Sequence, residues 1–231
     1  MKIHFITHSS FLVETAKICM LFDWYEGDIP EIPQDKPLFI FASHSHEDHF
    51  SDKIFEATKD HSTKYFVLSS DIFKSKVPVQ YHENCHFISP YQTLKIDDVE
   101  IKTYMSTDMG VAFLINTDGK NFYHAGDLNC WTWEGAPRFQ NNMMENTYKE
   151  ELKKISSTEI FMAFVPLDPR QDSYFDLGMK YFLETCGASY VFPMHMWGVY
   201  SIIDIFKQKY PEYAPMLFSI TGDNQSFEIP D

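Results

Sequence analysis

Residues 44–49 read His44-Ser45-His46-Glu47-Asp48-His49, so three of the chain's ten histidines and one aspartate fall within six positions. They directly follow an apolar run, residues 38–42, that is typical of a short buried strand. Imidazole and carboxylate are the ligands that zinc takes at water-activating sites. A strand leading into such a loop would hold the ligands on a rigid scaffold and leave coordination positions open. The spacing H-x-H-x-D-H therefore predicts a metal site, with a solvated histidine-rich loop as the alternative.

In two later segments, an apolar run is also followed by a residue whose side chain can bind a metal. Residues 121–127 read N-F-Y-H-A-G-D, so His124 and Asp127 follow a strand, and Gly126 permits a sharp turn between them. Residues 190–195 read Y-V-F-P-M-H and end in His195 in the same way. A single residue of this kind is more often a hydrogen-bonded structural residue than a ligand. Three such strand ends in one chain favour a shared site.

Length and composition indicate a folded protein. The chain has 231 residues, of which 44% are hydrophobic and 16% are aromatic, enough for a sizeable core. We predict a single domain over residues 1–231. No stretch approaches the ~20 apolar residues of a membrane span. The N-terminus leads straight into an alternating strand and lacks the pattern of a signal peptide. We therefore expect a cytoplasmic protein without membrane attachment.

The net charge indicates which class of partner to expect, and the spacing of the cysteines indicates whether they form disulfides or a metal site. The net charge is −14, which disfavours nucleic acid as a partner because such binders usually present a basic face. A small-molecule substrate is expected instead. The four cysteines form no C-x-x-C pair, which predicts reduced thiols rather than a disulfide scaffold or a thiolate zinc site. Cys130, three residues after Asp127, is the one thiol to examine as a nucleophile.

The order of elements predicts the architecture. Short strands come first, at residues 2–7, 10–15, 18–23 and 38–42, and turn residues 117–120 indicate a hairpin. Strands then alternate with helices at residues 141–155, 174–185 and 202–208, and strands at 217–220 and 226–229 end the chain. This order is consistent with two sheets packed face to face with helices outside.

With these motifs in this order, the sequence resembles the metallo-β-lactamase superfamily, and most closely its short UlaG-like metal-dependent hydrolases. The resemblance covers nearly the whole chain. It implies an α+β fold, an αββα sandwich of two mixed β-sheets with helices on the outer faces. Members of the family typically bind two zinc ions, and sometimes iron or manganese, at one edge between the sheets.

The resemblance also implies roles for individual residues. The expected metal ligands are His44 and His46 for the first ion, Asp48, His49 and His195 for the second, and Asp127 as the bridge. Asp48 and Asp127 are the expected catalytic residues, because a water held between two cations loses a proton near neutral pH and Asp48 would orient the resulting hydroxide.

One departure from the family concerns the first metal. The family usually supplies a third histidine to it, whereas the corresponding residues 104–110 read Y-M-S-T-D-M-G. Asp108 could take that place directly or through water, His8 could approach from the first turn, or Asp108 could be a structural turn residue. We expect one or two ions, with stronger occupancy of the second site, and with manganese or iron as alternatives to zinc.

Further residues are predicted to surround the metal. The expected substrate pocket comprises His8, His124, Trp131, Trp133 and Trp197, because aromatic side chains near a metal commonly exclude water. His124 is equally well explained as a structural residue. Asp23 and His8 are expected to hydrogen-bond ligand histidines. His61, His82 and His86 are predicted to be surface residues.

The leading functional hypothesis is a metal-dependent hydrolase. A metal-bound hydroxide would attack an ester, lactone, amide or phosphoester of a small molecule. One alternative is a nuclease or RNA-processing enzyme of the same fold. The other is a non-catalytic metal-binding or sensor protein with an incomplete first site. A serine hydrolase is disfavoured because the sequence contains no G-x-S-x-G motif.

Overall fold

The computed structural model describes residues 1–230, which form two compact units. The first unit comprises residues 1–89 and the C-terminal segment from residue 222, and the second comprises residues 90–221. Each unit contains one mixed β-sheet. The single domain over residues 1–231 stays a prediction, and its last residue, Asp231, lies outside the described part of the chain.

The sheet of the first unit has seven strands. They are β1 (Lys2–Thr7), β2 (Ser10–Glu14), β3 (Cys19–Phe22), β4 (Leu38–Ala42), β5 (Lys64–Ser69), β6 (Cys85–Ile88) and, at the C-terminus, β13 (Gln225–Glu228). Their order is β13-β1-β2-β3-β4-β5-β6. The first four in that order are antiparallel neighbours, and β3 to β6 are parallel. The short helix α1 (Ile54–Ala57) packs Phe55 against the apolar side chains of β4 and β5.

The carboxyl ends of β1, β3, β4 and β5 lie at one edge of this sheet, because these strands share one direction. Polar residues follow each of them: His8 after β1, Asp23 after β3, the residues 44–49 after β4, and Asp71 after β5. Strand β4 is buried along its whole length, so a residue just beyond it is held by a rigid element. The Asp71 Oδ2 atom accepts a 2.8 Å hydrogen bond from the Ser45 backbone N–H and so fixes the loop.

The sheet of the second unit has six strands. They are β7 (Thr93–Ile96), β8 (Val99–Met105), β9 (Val111–Thr117), β10 (Lys120–His124), β11 (Met162–Pro166) and β12 (Tyr190–Met194). Their order is β12-β11-β10-β9-β8-β7, with antiparallel pairing from β7 to β10 and parallel pairing from β10 to β12. The connections between the parallel strands are helices α2 (Arg138–Ile155) and α3 (Leu177–Thr185), and α4 (Ile202–Lys209) follows β12.

The second sheet repeats the arrangement of the first. Strands β8, β10, β11 and β12 run in one direction, so the residues after them gather at one edge. Asp108 follows β8, Asp127 follows β10, Asp168 follows β11 and His195 follows β12. Ligands of open α/β sheets bind outside the carboxyl ends of the strands, so this edge is where a site is expected.

The structure confirms two mixed sheets with helices. The predicted bounds of β1 and β4 are correct, and so is the hairpin turn before β10. The strand expected at residues 217–220 is wrong: Leu217 makes only an isolated bridge with Val191. Strands β6 and β7 were not predicted, because half-buried and polar positions obscure their alternation. None of the helices in residues 1–230 has the length and apolar character needed to cross a bilayer.

Candidate metal centre

The loop after β4 carries four of the predicted ligands, and three of them form a cluster. Its backbone is tight, since the N–H groups of His49 and Phe50 both donate to the carbonyl of His46, at 3.0 and 2.9 Å. His44, His46 and Asp48 each offer a ligand atom, and these atoms lie within 4.8 Å of one another. His44 is buried, whereas His46 and Asp48 are half-buried, so the cluster faces out of the sheet edge.

His8 lies beside the predicted ligands Asp48 and His49. The His8 Nε2 atom is 3.4 Å from Asp48 Oδ2, and the rings of His8 and His49 meet edge to face at 5.6 Å. Burial alone would raise the pKa of Asp48, but the hydrogen bond from His8 and the charge of His49 outweigh it and hold the pKa below its usual range. Asp48 is therefore ionised at neutral pH.

Asp23 orients the ligand histidines from behind. This buried carboxylate accepts hydrogen bonds from the Ser43 backbone N–H at 2.7 Å, the Ser43 hydroxyl at 2.6 Å and His49 Nδ1 at 2.7 Å. Because the carboxylate only accepts, Nδ1 of His49 carries the proton and Nε2 carries the lone pair. The Ser43 oxygen in turn accepts from His44 Nδ1 at 3.0 Å, which fixes the same tautomer there. The structure thus confirms that Asp23 hydrogen-bonds a predicted ligand histidine.

A second cluster, built the same way, lies in the second unit. His195 Nε2 is 3.5 Å from Asp127 Oδ1, and both residues are buried. Two ligands with zinc bonds of about 2.0–2.1 Å in tetrahedral geometry lie roughly 3.3 Å apart, so this spacing suits a shared cation. His195 Nδ1 donates to Asp168 Oδ2 at 2.9 Å, which leaves the Nε2 lone pair for a metal.

Asp168 is a functional candidate that the sequence reasoning missed. Burial would raise its pKa, but His195 and Arg170 outweigh that effect and lower the pKa to about 2. Asp168 therefore stays ionised and keeps accepting from His195 at neutral pH. The missed signal was present in the sequence, because Asp168 follows the apolar run F-M-A-F-V-P-L at residues 161–167, just as Asp127 and His195 follow apolar runs.

Two tryptophans contact His195, and a third stacks on one of them. The Trp131 ring lies 5.4 Å from the His195 ring and stacks on Trp133 at 6.1 Å, with 7° between the planes. Trp197 meets His195 edge to face at 5.6 Å. Trp131 also donates from Nε1 to the carbonyl of Asp127 at 2.9 Å. The indoles thus form an aromatic cluster around His195, and their contact with a substrate stays a prediction.

Polar side chains hydrogen-bond to residues 129–132, the segment after Asp127. Buried Gln171 donates to the carbonyls of Cys130 and Thr132 at 2.7 and 3.2 Å and accepts from Asn129 at 2.9 Å. Thr107 donates to the Asn129 carbonyl at 2.6 Å. These hydrogen bonds fix the backbone between Asp127 and the tryptophans.

Cys130 and His124 are the other chemical candidates near Asp127. Burial raises the pKa of the Cys130 thiol to about 12, so this group is not a thiolate at neutral pH. His124 is fully buried, and its Nδ1 accepts from the Gly126 N–H at 3.1 Å. It supports the turn before Asp127, in which Gly126 has a φ of +51°, and this contact suits the structural role that the sequence left open, whereas its place in the substrate pocket stays a prediction.

Asp108 is exposed at the turn after β8, where its N–H donates to the Ser106 hydroxyl at 3.2 Å. Its carboxylate offers an oxygen within 4.8 Å of one from Asp127. The first contact suits a turn residue and the second suits a ligand, so its role at the first metal stays a prediction.

One expected surface histidine is buried. The side chain of His61 is only 4% exposed, and its Nε2 lies 2.9 Å from the Lys36 carbonyl. The prediction failed because His61 lies in a polar stretch after a short helix, where the sequence gives no sign of its contact with the distant Lys36. His61 is therefore a buried histidine that is held through Nε2 and lies outside the groups of candidate ligands.

The donor set fits a divalent transition metal. It consists of imidazoles whose Nδ1 atoms are held by a carboxylate or hydroxyl, together with ionised carboxylates. Such nitrogen and oxygen donors suit zinc, manganese and iron.

Comparison with known proteins connects this chemistry to a family. The model of a beta-lactamase superfamily domain matches residues 2–134. A metal-dependent hydrolase from Desulforamulus reducens is 30% identical over 146 residues, covering 57% of this chain and 64% of that protein. The chain thus spans slightly under two thirds of that relative. A metal-dependent hydrolase from Korarchaeum cryptofilum is 23% identical over 205 residues, covering 84% of this chain and 82% of that protein.

A solved structure shows the same fold. Igni18, described as a novel metallo hydrolase from the hyperthermophilic archaeon Ignicoccus hospitalis, superimposes with a TM-score of 0.66 over 99% of both chains. Its sequence is 20% identical to this one, so the likeness concerns the fold alone.

Proposed function

Since the chain belongs to the beta-lactamase superfamily, we propose that it is a metal-dependent hydrolase acting on a small molecule. Relatives named metal-dependent hydrolases support the activity. The observation that carries the proposal is the pair of buried carboxylates, Asp23 and Asp168, each on the Nδ1 atom of a predicted ligand histidine. That arrangement is typical of metal-binding histidines.

We propose that both clusters take part in metal binding. The proposed ligands are His44, His46, Asp48, His49, Asp127 and His195, with Asp108 as a further candidate. Zinc is the proposed ion, and manganese or iron would suit the same donors. A bound ion of this kind supplies a Lewis acid and lowers the pKa of a water molecule towards neutrality.

The protein's own residues would prepare the reaction. Asp23 and Asp168 hold their histidines in one tautomer, so no reorientation is needed when the ligands engage. Asp48, ionised and half-buried, would accept a hydrogen bond from the attacking water and orient it. Trp131 and Trp133 would exclude bulk water from one side of His195.

The substrate class follows from the same features. The candidates are an ester, a lactone, an amide or a phosphoester of a small molecule, because each has an electrophilic centre that a water can attack. The net charge of −14 argues against a nucleic-acid substrate. The four free cysteines are compatible with a reducing compartment, which supports our proposal of a cytoplasmic protein.

Turnover before and after chelation tests this function. Purified protein is screened against lactones, phosphodiesters, esters and β-lactams, then treated with a chelator and reloaded with zinc, manganese or iron. We expect chelation to abolish turnover and one of these metals to restore it. Asp127→Asn should lose roughly a hundredfold or more in rate, as on removal of a principal electrostatic group.

Asp176→Asn is the matched control for Asp127→Asn. Asp176 is also a buried aspartate of the second unit, but it pairs with Lys209 and Tyr210. Its replacement should leave the rate per folded molecule unchanged. Metal-free protein that still turns over substrate would rule out the proposed function.

A further inference from the structure

Arg170 occupies an unusual position beside the second cluster. It is one of only two arginines in a chain of net charge −14. Its Nε donates to both Asp168 oxygens at 3.0 Å, and its Nη2 donates to Asp168 Oδ2 at 2.6 Å. The same Asp168 oxygen accepts from His195, so the guanidinium is held one residue away from a proposed ligand.

Part of the guanidinium faces outwards. An arginine offers five N–H donors, and the pairing with Asp168 uses those on the Nε side. Among residues 1–230, the hydrogen bonds of Arg170 all go to Asp168, and Nη1 donates to none of the described groups. The Arg170 side chain is 48% exposed. A fixed cation therefore keeps an accessible edge of donors.

The guanidinium of Arg170 lies over the ring of Trp197. The guanidinium carbon lies 4.2 Å from the centre of the Trp197 ring, within the range of a cation–π contact. Trp197 is 45% exposed, and its ring also contacts His195. The backbone takes left-handed conformations at His195 and Trp197, with φ of +63° and +51°. Such conformations are unfavourable for bulky residues and tend to occur at functional sites.

We propose that Arg170 and Trp197 form a recognition site for an oxyanion, so that the substrate carries a carboxylate or phosphate group close to the bond that is cleaved. The planar fork of arginine matches these groups and binds them through two hydrogen bonds. Because Asp168 offsets the charge of Arg170, the guanidinium would hold an anionic group mainly through its oriented and accessible N–H donors. The apolar part of the substrate would lie against Trp131 and Trp133. This inference rests on the proposed function, because it names the substrate class of the same site.

Calorimetric titration tests the proposal without any turnover. Benzoate, phenyl phosphate and the neutral isostere benzamide are titrated into the wild type, Arg170→Gln and Arg138→Gln. Arg138 is the chain's other arginine and is exposed at the start of α2, so it is the matched control. Each titration is made on metal-loaded protein and again after chelation, which removes differences in metal content from the comparison.

We expect Arg170→Gln to bind at least one of the two oxyanions about tenfold more weakly than the wild type, in both metal states, as for loss of a charge-assisted pair. Arg138→Gln should match the wild type, and benzamide should not distinguish the variants. If Arg170→Gln fails to fold, Arg170→Lys, which keeps the charge beside Asp168 but not the fork, is expected to show the same loss.

Three results would overturn the proposal: no oxyanion binding by the wild type, equal affinity of the wild type and the Arg170 variant in either metal state, or an equal loss for benzamide. The result of this binding test can be distinguished from the result of the turnover test of the proposed function. A chain without hydrolytic activity whose benzoate binding depends on Arg170 would refute the hydrolase but keep this site. Metal-dependent hydrolysis with equal oxyanion binding would do the reverse.

Discussion

At the scale of single residues, the proposed metal centre depends on two carboxylates that are not among its proposed ligands. Asp23 accepts three hydrogen bonds, including that from His49, and Asp168 joins His195 to Arg170. Both are fully buried, and burying a carboxylate is costly unless such partners compensate for it. Each therefore fixes the proton on Nδ1 of its histidine and raises the basicity of Nε2.

Asp23→Asn should weaken zinc binding while the chain stays folded. The amide keeps the shape of the carboxylate but loses its charge, and outer partners of this kind are worth roughly 10- to 100-fold in metal affinity. Affinity is measured by competition with a chromogenic chelator. Asp176→Asn, which also replaces a buried aspartate, should leave the affinity unchanged. Zinc affinity equal to that of the wild type in Asp23→Asn would remove Asp23 from the centre.

The cysteines give a second prediction at this scale. Burial raises the pKa of Cys19 to about 11 and that of Cys130 to about 12, so neither reacts as a thiolate at neutral pH. We expect a thiol reagent such as Ellman's to label the folded protein slowly and to label four thiols after unfolding in urea. Cys130→Ala should keep full hydrolytic activity. Rapid labelling of one thiol that disappears in Cys130→Ala would return Cys130 to the list of nucleophiles.

At the scale of elements, the contact between helix α3 and the segment after Asp127 leaves no room for a side chain. A Cβ atom added at Gly178 would lie 1.7 Å from the Asn129 Oδ1 atom and 3.2 Å from the Cys130 backbone nitrogen. Asn129 is buried and bonded to Gln171, so it cannot move away freely. The glycine therefore lets the helix support the segment that carries Asp127 and Trp131.

Gly178→Ala should lower the free energy of unfolding by about 1–3 kcal/mol, as expected for overpacking. Gly222→Ala is the control, because a Cβ there meets nothing within 4 Å. Urea unfolding of the two variants and the wild type measures the difference. Equal stability of Gly178→Ala and the wild type would show that Asn129 can rearrange at no cost.

The sequence predicted those elements whose pattern is local. Strand β4 and the histidine loop after it were correct because a continuous apolar run and a polar cluster adjoin each other. Asp23 was expected behind a ligand, whereas Asp168 was missed although it follows β11 in the same way. Strands β6 and β7, the burial of His61 and the stacking of Arg170 on Trp197 depend on which distant segments pack together. Such pairing leaves little trace in the periodicity of one sequence.

At the scale of the whole molecule, we propose that predicted ligands on each of the two sheets are needed for full metal binding. Each sheet presents a histidine with a carboxylate on Nδ1 at the carboxyl ends of its parallel strands. Zinc stoichiometry tests this claim most directly. It is measured by elemental mass spectrometry after chelation, reloading with zinc and desalting, for the wild type and for His44→Ala, His195→Ala and His61→Ala.

The wild type and His61→Ala should hold the same amount of zinc, because the His61 imidazole contacts the Lys36 carbonyl and belongs to none of the groups of candidate ligands. His44→Ala, which alters the first sheet, and His195→Ala, which alters the second, should each lose a large part of it. A wild type that retains no zinc, or a His195→Ala protein that retains as much as the wild type, would contradict the account.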